Sequence, residues 1–230
     1  MIDYTEFENI IGVKFNNIKL LETALTHRSY LNEHQESDLE HNERLEYLGD
    51  AVLELVTTHY LFKEFPKENE GVLTSYRSAL VNTTSLLEVA EKLKVNNFLQ
   101  LSKGEAKDTG RARTFIMANS IEAIIGAIYL DQGYEASQKF IANNFLSKID
   151  EVIKKNLWQD SKSFFQEKAQ DILKITPNYE VLEEAGPDHD KRFRVGVFLR
   201  DKIVAEGEGV SKQEAEQDAA QKALKAKQWA

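Results

Sequence analysis

Acidic residues recur in one stretch of this chain at a spacing that places them on one face of a helix. Between Asn42 and Leu53 the sequence reads NERLEYLGDAVL. At about 100° per residue, its carboxylates fall within a sector about 80° wide, opposite a set of apolar residues. The acids are Glu43, Glu46, Asp50 and Glu54, and the apolar residues are Leu45, Leu48, Val52 and Leu55.

Clustered carboxylates repel one another and need a compensating charge. Two unit charges about 4 Å apart cost about 4 kcal/mol at an effective dielectric of 20. A divalent metal would relieve this repulsion, and hard carboxylate oxygens select magnesium or manganese. The alternative is a solvated acidic stripe without function. Tyr47 argues against that alternative, because the same angular count places this aromatic residue beside the carboxylates.

A second segment, Met117 to Asp131, is apolar on nearly every side, which is typical of a buried helix. Glu122 would then be an acid in a core element, costing several kcal/mol if it were ionised and unpaired. Asn119 lies one turn earlier on the same side. Glu122 either forms a structural salt bridge with an arginine or joins Glu46, Asp50 and Asn119 in an all-oxygen metal site.

Charge and composition narrow the class of protein. The net charge of −9 argues against a generic nucleic-acid binder. Residues 160–230 carry 12 Lys and Arg against 14 Asp and Glu, so most of the negative charge lies in residues 1–159. The absence of cysteine suits a reducing compartment. The start lacks signal-peptide features, and the longest apolar run, Ala123 to Leu130, is too short to span a bilayer. We therefore expect a cytoplasmic protein without membrane contact.

The pattern of apolar residues divides the chain in two. From Glu6 to about Lys155 it is helical, with no convincing strand. The remainder predicts a helix, three short strands and a last helix that begins at Ser211. The fold class is therefore mostly α: an all-helical domain followed by a small α-β-β-β-α domain. The expected boundaries are residues 1–155, a linker at 156–162, and 163–228. The tail elements are expected at Ser163 to Ile175, Tyr179 to Glu184, Arg192 to Leu199 and Ile203 to Gly207.

The segment from Asn42 to Leu53 resembles the signature motif of the bacterial ribonuclease III family. Ala24 to Tyr30 and Ala118 to Asp131 resemble the flanking motifs of that family, in the expected order. The tail is similar to the double-stranded-RNA-binding domain that the family carries at its C-terminus. The resemblance thus covers essentially the whole chain.

The resemblance implies a site and a reaction. Glu46, Asp50 and Glu122 stand where the family's magnesium ligands stand, Asn119 takes the fourth position, and manganese is a possible substitute. Glu43 and Glu70 match two further acids near the cleavage centre. The family cleaves double-stranded RNA with metal-activated water, leaving a 5′ phosphate, a 3′ hydroxyl and a short 3′ overhang, and it processes ribosomal RNA precursors and other structured transcripts.

The resemblance also implies partners. The family's catalytic domain is a homodimer, and Tyr47 holds the place of an exposed aromatic, usually phenylalanine, that inserts into the other subunit. In the tail, Gln166 and Glu167 would face one minor groove of duplex RNA, the Gly186 to His189 loop would face the next, and Lys212 would meet phosphates. Gln213 stands where a second lysine is common.

Asn119 is the main departure from the family pattern, which more often has aspartate there. An amide oxygen can coordinate a hard cation, but it adds no negative charge and cannot act as a base. One alternative is therefore a catalytically impaired double-stranded-RNA-binding protein with the same fold. Another is a small helical metal phosphohydrolase with a different substrate class, which the helix-strand-helix tail disfavours.

Overall fold

The computed structural model describes residues 3–36, 38–155, 158, 160–186 and 191–229. The chain divides into two units, Met1–Trp158 and Gln159–Ala230, each with its own hydrophobic core. We call them the first and second units.

The first unit is helical, and its described residues contain no strand. The one bridge between extended residues joins Thr26 to Gln100. The α-helices that the described residues form are α1 (Tyr4–Ile11), α2 (Ile18–Ala24), α3 (Arg28–Glu33), α4 (Glu43–Glu64), α5 (Glu70–Leu80), α6 (Thr83–Lys92), α7 (Arg111–Gln132), α8 (Tyr134–Asn144) and α9 (Ile149–Lys154). Short 3₁₀ turns occupy Val95–Asn97, Glu105–Lys107 and Leu146–Lys148.

Short polar side chains begin several of these helices. The side chains of Asp3, Asn69 and Asn82 accept hydrogen bonds from backbone N–H groups in the first turns of α1, α5 and α6. The cap at Asn82 marks the point where α5 ends and α6 begins.

Helix α7 lies at the centre of the first unit. Ile121, Ile124, Ile125 and Ile128 are fully buried, as its nearly uniform apolar sequence predicts. The segment Ala112–Gln132 is long and apolar enough to cross a membrane by length and composition alone. More than half of its most apolar window is buried inside the protein, which is the arrangement of a core helix.

The second unit packs two helices on a three-stranded antiparallel sheet. The elements are α10 (Ser161–Leu173), β1 (Asn178–Ala185), β2 (Arg192–Leu199), β3 (Lys202–Gly209) and α11 (Lys212–Lys227). The strands follow the order β1-β2-β3, with Val181 opposite Val195 and Val195 opposite Gly207. Small residues let the layers approach closely, since a Cβ at Gly207 would overlap the backbone of Ala219.

The last helix begins as the capping pattern predicts. Ser211 Oγ accepts a hydrogen bond from Glu214 N at 3.2 Å. The Glu214 carboxylate reaches back to Val210 N at 2.9 Å, one residue before the cap. The expected fold class, mostly helical with a small α-β-β-β-α tail, is therefore confirmed.

Candidate active site

Helices α4 and α7 cross with their backbones in contact, because a glycine lies at the crossing on each helix. A Cβ at Gly49 would overlap the carbonyl oxygen of Glu122, and a Cβ at Gly126 would overlap the carbonyl oxygen of Leu45. Glu46 precedes Gly49 by one turn, Asp50 follows it directly, and Glu122 precedes Gly126 by one turn. The crossing therefore places the three acids on adjoining turns of the two helices.

The buried side of α4 is not the whole of the side opposite the acids. Leu45 and Val52 are buried there, but Leu55 is 57% exposed. Counting about 100° per residue, the buried arc is centred on Gly49 rather than on the leucines. Glu46 is half-buried, while Asp50, one turn further along α4, is exposed. The sequence interpretation missed both glycines, although a glycine inside an apolar helical pattern is a signal of close packing.

Burial and mutual repulsion disfavour the charged forms of these acids. The pKa of Glu122 is raised from 4.5 to about 7 by burial first, and then by the charges of Asp50 and Glu46. Burial, with a contribution from Glu54, raises the pKa of Asp50. Burial also raises the pKa of Glu46, against the opposing effect of a hydrogen bond from Asn119. The site therefore holds negative charge at a measurable cost.

No basic side chain in the described part of the chain pairs with these three acids. None of the ion pairs there includes Glu46, Asp50 or Glu122. The alternative of a structural salt bridge between Glu122 and an arginine thus has no support among those residues. A plain solvated stripe does not fit either, because Glu46 and Glu122 are both half-buried.

The carboxylate oxygens of these residues are suitable ligands for a hard divalent cation, although their side chains do not converge on one point. In the residues that the structure describes, no three His, Asp or Glu side chains converge closely enough to hold an ion as they stand. The charges of Asp50 and Glu46 on α4 nevertheless raise the pKa of Glu122 on α7. Carboxylate oxygens without a cationic partner are the ligands that Mg²⁺ and Mn²⁺ accept.

Asn119 joins this cluster through a hydrogen bond rather than through charge. Its Nδ2 donates to Glu46 Oε1 at 2.8 Å across the two helices. The sequence had suggested Asn119 as the fourth metal ligand, and that role stays a prediction. Among the described residues, Glu46 is the partner of its amide N–H.

The two further acids suggested by the sequence lie far apart: Glu43 is the first residue of α4, and Glu70 follows the end of α4. Glu43 is exposed and pairs with Arg28 at 3.5 Å and with His41 at 3.8 Å. Glu70 begins α5, accepts a hydrogen bond from Thr74 at 3.3 Å, and lines a groove beside Thr58. Because Thr58 is about 12 Å along α4 from Asp50, Glu70 is not brought to the carboxylate cluster within one chain.

Tyr47 is 83% exposed and borders a groove of about 810 Å³ that Leu20, Leu48 and Leu130 also line. The same face of α4 exposes Leu55 by 57% and Phe62 by 70%. An apolar stripe therefore follows one side of α4, adjacent to the acidic edge.

In the second unit, the residues suggested for RNA contact lie on two helices. Gln166 and Glu167 are exposed on α10, and Lys212 is the first residue of α11. The Lys212 ammonium lies 5.7 Å from the centre of the Phe193 ring. Gly186 has a left-handed backbone with φ of 93°. The expected contact at His189 lies outside the described residues.

A helical unit with an acidic crossing, followed by a compact α-β-β-β-α unit, has the organisation of a nuclease with an attached RNA-binding domain. The comparisons agree. A family model described as ribonuclease-III-like matches residues 17–149, and one described as a double-stranded RNA binding motif matches residues 161–227. The chain belongs to the ribonuclease III family and carries the nuclease and double-stranded-RNA-binding domains of that family. We call the first unit the nuclease unit and the second the RNA-binding unit.

Relatives match nearly the whole chain. Ribonuclease 3 of Carboxydothermus hydrogenoformans is 48% identical over 94% of this chain and 92% of that protein. Ribonuclease 3 of Clostridium botulinum strain Alaska E43 is 44% identical over 96% of this chain and 95% of that protein. A solved nuclease domain of ribonuclease III from Campylobacter jejuni is 38% identical, covers 63% of this chain and 99% of its own, and has a TM-score of 0.56. The Campylobacter structure is described as showing structural flexibility in a region involved in dimer formation of that nuclease domain.

Proposed function

We propose that this protein is a magnesium-dependent endoribonuclease that hydrolyses double-stranded RNA. The observation that carries the proposal is the group of three carboxylates at the α4–α7 crossing, which lack a cationic partner among the described residues. Membership of the ribonuclease III family supports the substrate class. Mn²⁺ could replace Mg²⁺, because both accept hard oxygen donors.

Two sets of residues would support hydrolysis, one that binds the cation and one that sets the distance between the two helices. Glu46, Asp50 and Glu122 would hold the cation, with Asn119 beside them. When bound, the cation would lower the pKa of a water and neutralise charge on the departing 3′ oxygen. The close backbone contact at Gly49 and Gly126 fixes the spacing of the acids. Attack in line with a backbone phosphorus leaves a 5′ phosphate and a 3′ hydroxyl, and staggered cuts leave a short 3′ overhang.

We further propose a homodimer formed through the exposed side of α4. Tyr47 of each copy would enter the 810 Å³ groove of the other, and Leu55 and Phe62 would extend the contact. Aromatic side chains that fill pockets contribute strongly to interfaces. A second copy would also bring another Glu70 toward the duplex, which fits the position of Glu70 away from the cluster in its own chain.

The RNA-binding unit would hold the duplex by its shape. Gln166 and Glu167 on α10 would contact one minor groove and the loop with His189 the next. Lys212 and the N-terminus of α11 would meet phosphates across the major groove. We place the enzyme in the cytoplasm, where it would process ribosomal RNA precursors and other structured transcripts; the lack of cysteine is compatible with that compartment.

Cleavage of an end-labelled RNA duplex tests the reaction. The full chain should cut the duplex with Mg²⁺ and stop when EDTA is added. Glu122→Gln should abolish cutting while duplex binding in a gel-shift assay remains. Glu91→Gln, which changes an exposed acid on α6, is the matched control and should cut normally. Binding by the wild-type chain without any cutting would instead establish the catalytically impaired RNA-binding protein.

Sedimentation tests the dimer. Tyr47→Ala should weaken self-association by about 30-fold, because loss of a central aromatic contact costs about 2 kcal/mol or more. Tyr129→Phe, a half-buried tyrosine on α7, is a conservative control that should sediment like the wild type. A Tyr47→Ala chain that remains as dimeric as the wild type would exclude this interface.

A further inference from the structure

The hydrogen bond between Asn119 and Glu46 joins the two helices that form the site. Asn119 Nδ2 lies 2.8 Å from Glu46 Oε1, and both side chains are half-buried. An ionised carboxylate can only accept hydrogen bonds, so the amide nitrogen, not the amide oxygen, must face Glu46. An aspartate at residue 119 could not make this contact in its ionised form and would add a fourth negative charge.

We propose that Asn119 is a positioning residue, which fixes the Glu46 carboxylate against α7 and acts on a divalent cation through Glu46 rather than as a ligand. This inference rests on the proposed function. Asn119 then contributes to the site by orienting Glu46, and it is not a fourth ligand.

The surroundings of Glu46 explain why it needs such a restraint. Asp50 lies on the same helix one turn later, and Glu43 lies one turn earlier; both carry the same charge as Glu46. Repulsion favours rotamers of Glu46 that turn away from the cluster, and a glutamate has enough rotatable bonds to do so. The amide holds the carboxylate on the side of Glu122, since residues 119 and 122 share one face of α7. A cation then binds preset oxygens, which reduces the entropy lost on binding.

A double-mutant cycle with Mn²⁺ alone separates positioning from ligation. Mn²⁺ affinity is measured by calorimetry on the full chain without RNA, for wild type, Asn119→Ala, Glu46→Gln and the double variant. Asn119→Ala should weaken binding about 10-fold, the usual effect of losing a partner that orients a ligand. In the Glu46→Gln background the same change should alter affinity less than about 2-fold. Asn143→Ala, an exposed asparagine on α8, is the control and should bind as the wild type does.

Additive effects in this cycle would overturn the inference, because a direct ligand loses its contribution whatever stands at residue 46. Wild type that binds no Mn²⁺ would overturn the metal site itself. The two failures are therefore distinguishable.

Melting in EDTA tests the hydrogen bond without any metal. Asn119→Asp should lower the melting temperature, because it replaces the donor with a charge 2.8 Å from Glu46. Combining it with Glu46→Gln should recover most of the loss, since the new glutamine amide can donate to the aspartate and the net charge returns to that of the wild type. A double variant no more stable than Asn119→Asp alone would contradict the proposed contact.

Discussion

Three acids of the RNA-binding unit pair with basic side chains, whereas the three acids at the α4–α7 crossing of the nuclease unit have no basic partner among the described residues. In the RNA-binding unit, Glu183 and Glu206 both pair with Arg194, at 2.8 Å and 2.9 Å, and Glu216 pairs with Lys162 at 2.5 Å. At the α4–α7 crossing of the nuclease unit, Glu46 and Glu122 are half-buried, and no basic side chain among the described residues pairs with either of them.

The difference separates acids that stabilise the fold from acids that are available to bind a cation. A paired acid contributes to its fold, whereas an unpaired, half-buried acid destabilises its fold until a cation arrives. The nuclease unit tolerates that cost because the crossing is surrounded by a large apolar core, including the fully buried isoleucines of α7. Total charge alone would not have located the site, since the net charge of −7 in residues 1–159 is spread over many exposed acids.

Each unit contains one tryptophan, so the comparison can be tested on the intact chain. Trp158 packs against Tyr76 with ring centres 5.0 Å apart, and Trp229 packs against Phe165 at 5.4 Å. In a Trp229→Phe chain the fluorescence reports the nuclease unit. In a Trp158→Phe chain it reports the RNA-binding unit.

The largest expected effect is that of Gly49→Ala. The added methyl group would overlap a backbone carbonyl, which no side-chain rotation can relieve, so the two helices must separate. The nuclease unit should lose about 3 kcal/mol or more, beyond the usual cost of overpacking. Trp158 fluorescence during urea unfolding measures the loss, and Mn²⁺ affinity should fall with it because the carboxylates move apart.

Two other glycines control this experiment. Gly207→Ala should destabilise only the RNA-binding unit, because there the methyl group would overlap the backbone of α11. Gly71→Ala should be neutral or stabilising, since its nearest neighbour, Asn69 Oδ1, is 3.4 Å away and alanine favours helix. If Gly49→Ala left both tryptophan signals unchanged, the close crossing would not be what sets the site.

The sequence predicted the elements well but not the face that the site occupies. Periodicity located α4, α7 and the strands, and the apolar sequence around Glu122 predicted its burial. The apolar pattern of α4 did not indicate that Gly49 makes the closest approach to α7, because glycine adds nothing to a hydrophobic count. The hydrogen bond of Asn119 depends on the position of one helix relative to another, which no local pattern encodes.

An intermediate effect is expected from Glu122→Gln in EDTA, with a pH dependence. The pKa of Glu122 is about 7 in the folded chain and near 4.5 otherwise, so the folded state binds more protons between these values. Stability of the nuclease unit should therefore fall as pH rises from about 4.5 through 7. The neutral glutamine removes the contribution of Glu122 to this fall. Glu122→Gln should melt close to the wild type at pH 4.5 and higher by a few degrees at pH 8, followed by Trp158.

The matched change in the other unit should have the opposite sign. Glu216→Gln removes an acid that already has a partner in Lys162, so the RNA-binding unit should become slightly less stable at pH 8. A gain in stability at Glu216, or no gain at Glu122, would contradict the distinction between paired and unpaired acids.

The smallest expected effect is that of Lys162→Met in the RNA-binding unit. Methionine keeps most of the apolar stem but removes the ammonium that contacts Glu216 and lies 4.9 Å from the centre of the Tyr179 ring. Both charged side chains are partly exposed, at 38% and 24%, so the cost should be about 1 kcal/mol or less. Trp229 fluorescence should show that this loss is smaller in 1 M NaCl, because salt screens the attraction between Lys162 and Glu216.

The same salt should have the opposite effect on the nuclease unit. In 1 M NaCl and EDTA, Trp158 fluorescence should report a more stable nuclease unit, because there salt screens the repulsion between the acids. The same sign of the salt effect in both units would contradict the comparison.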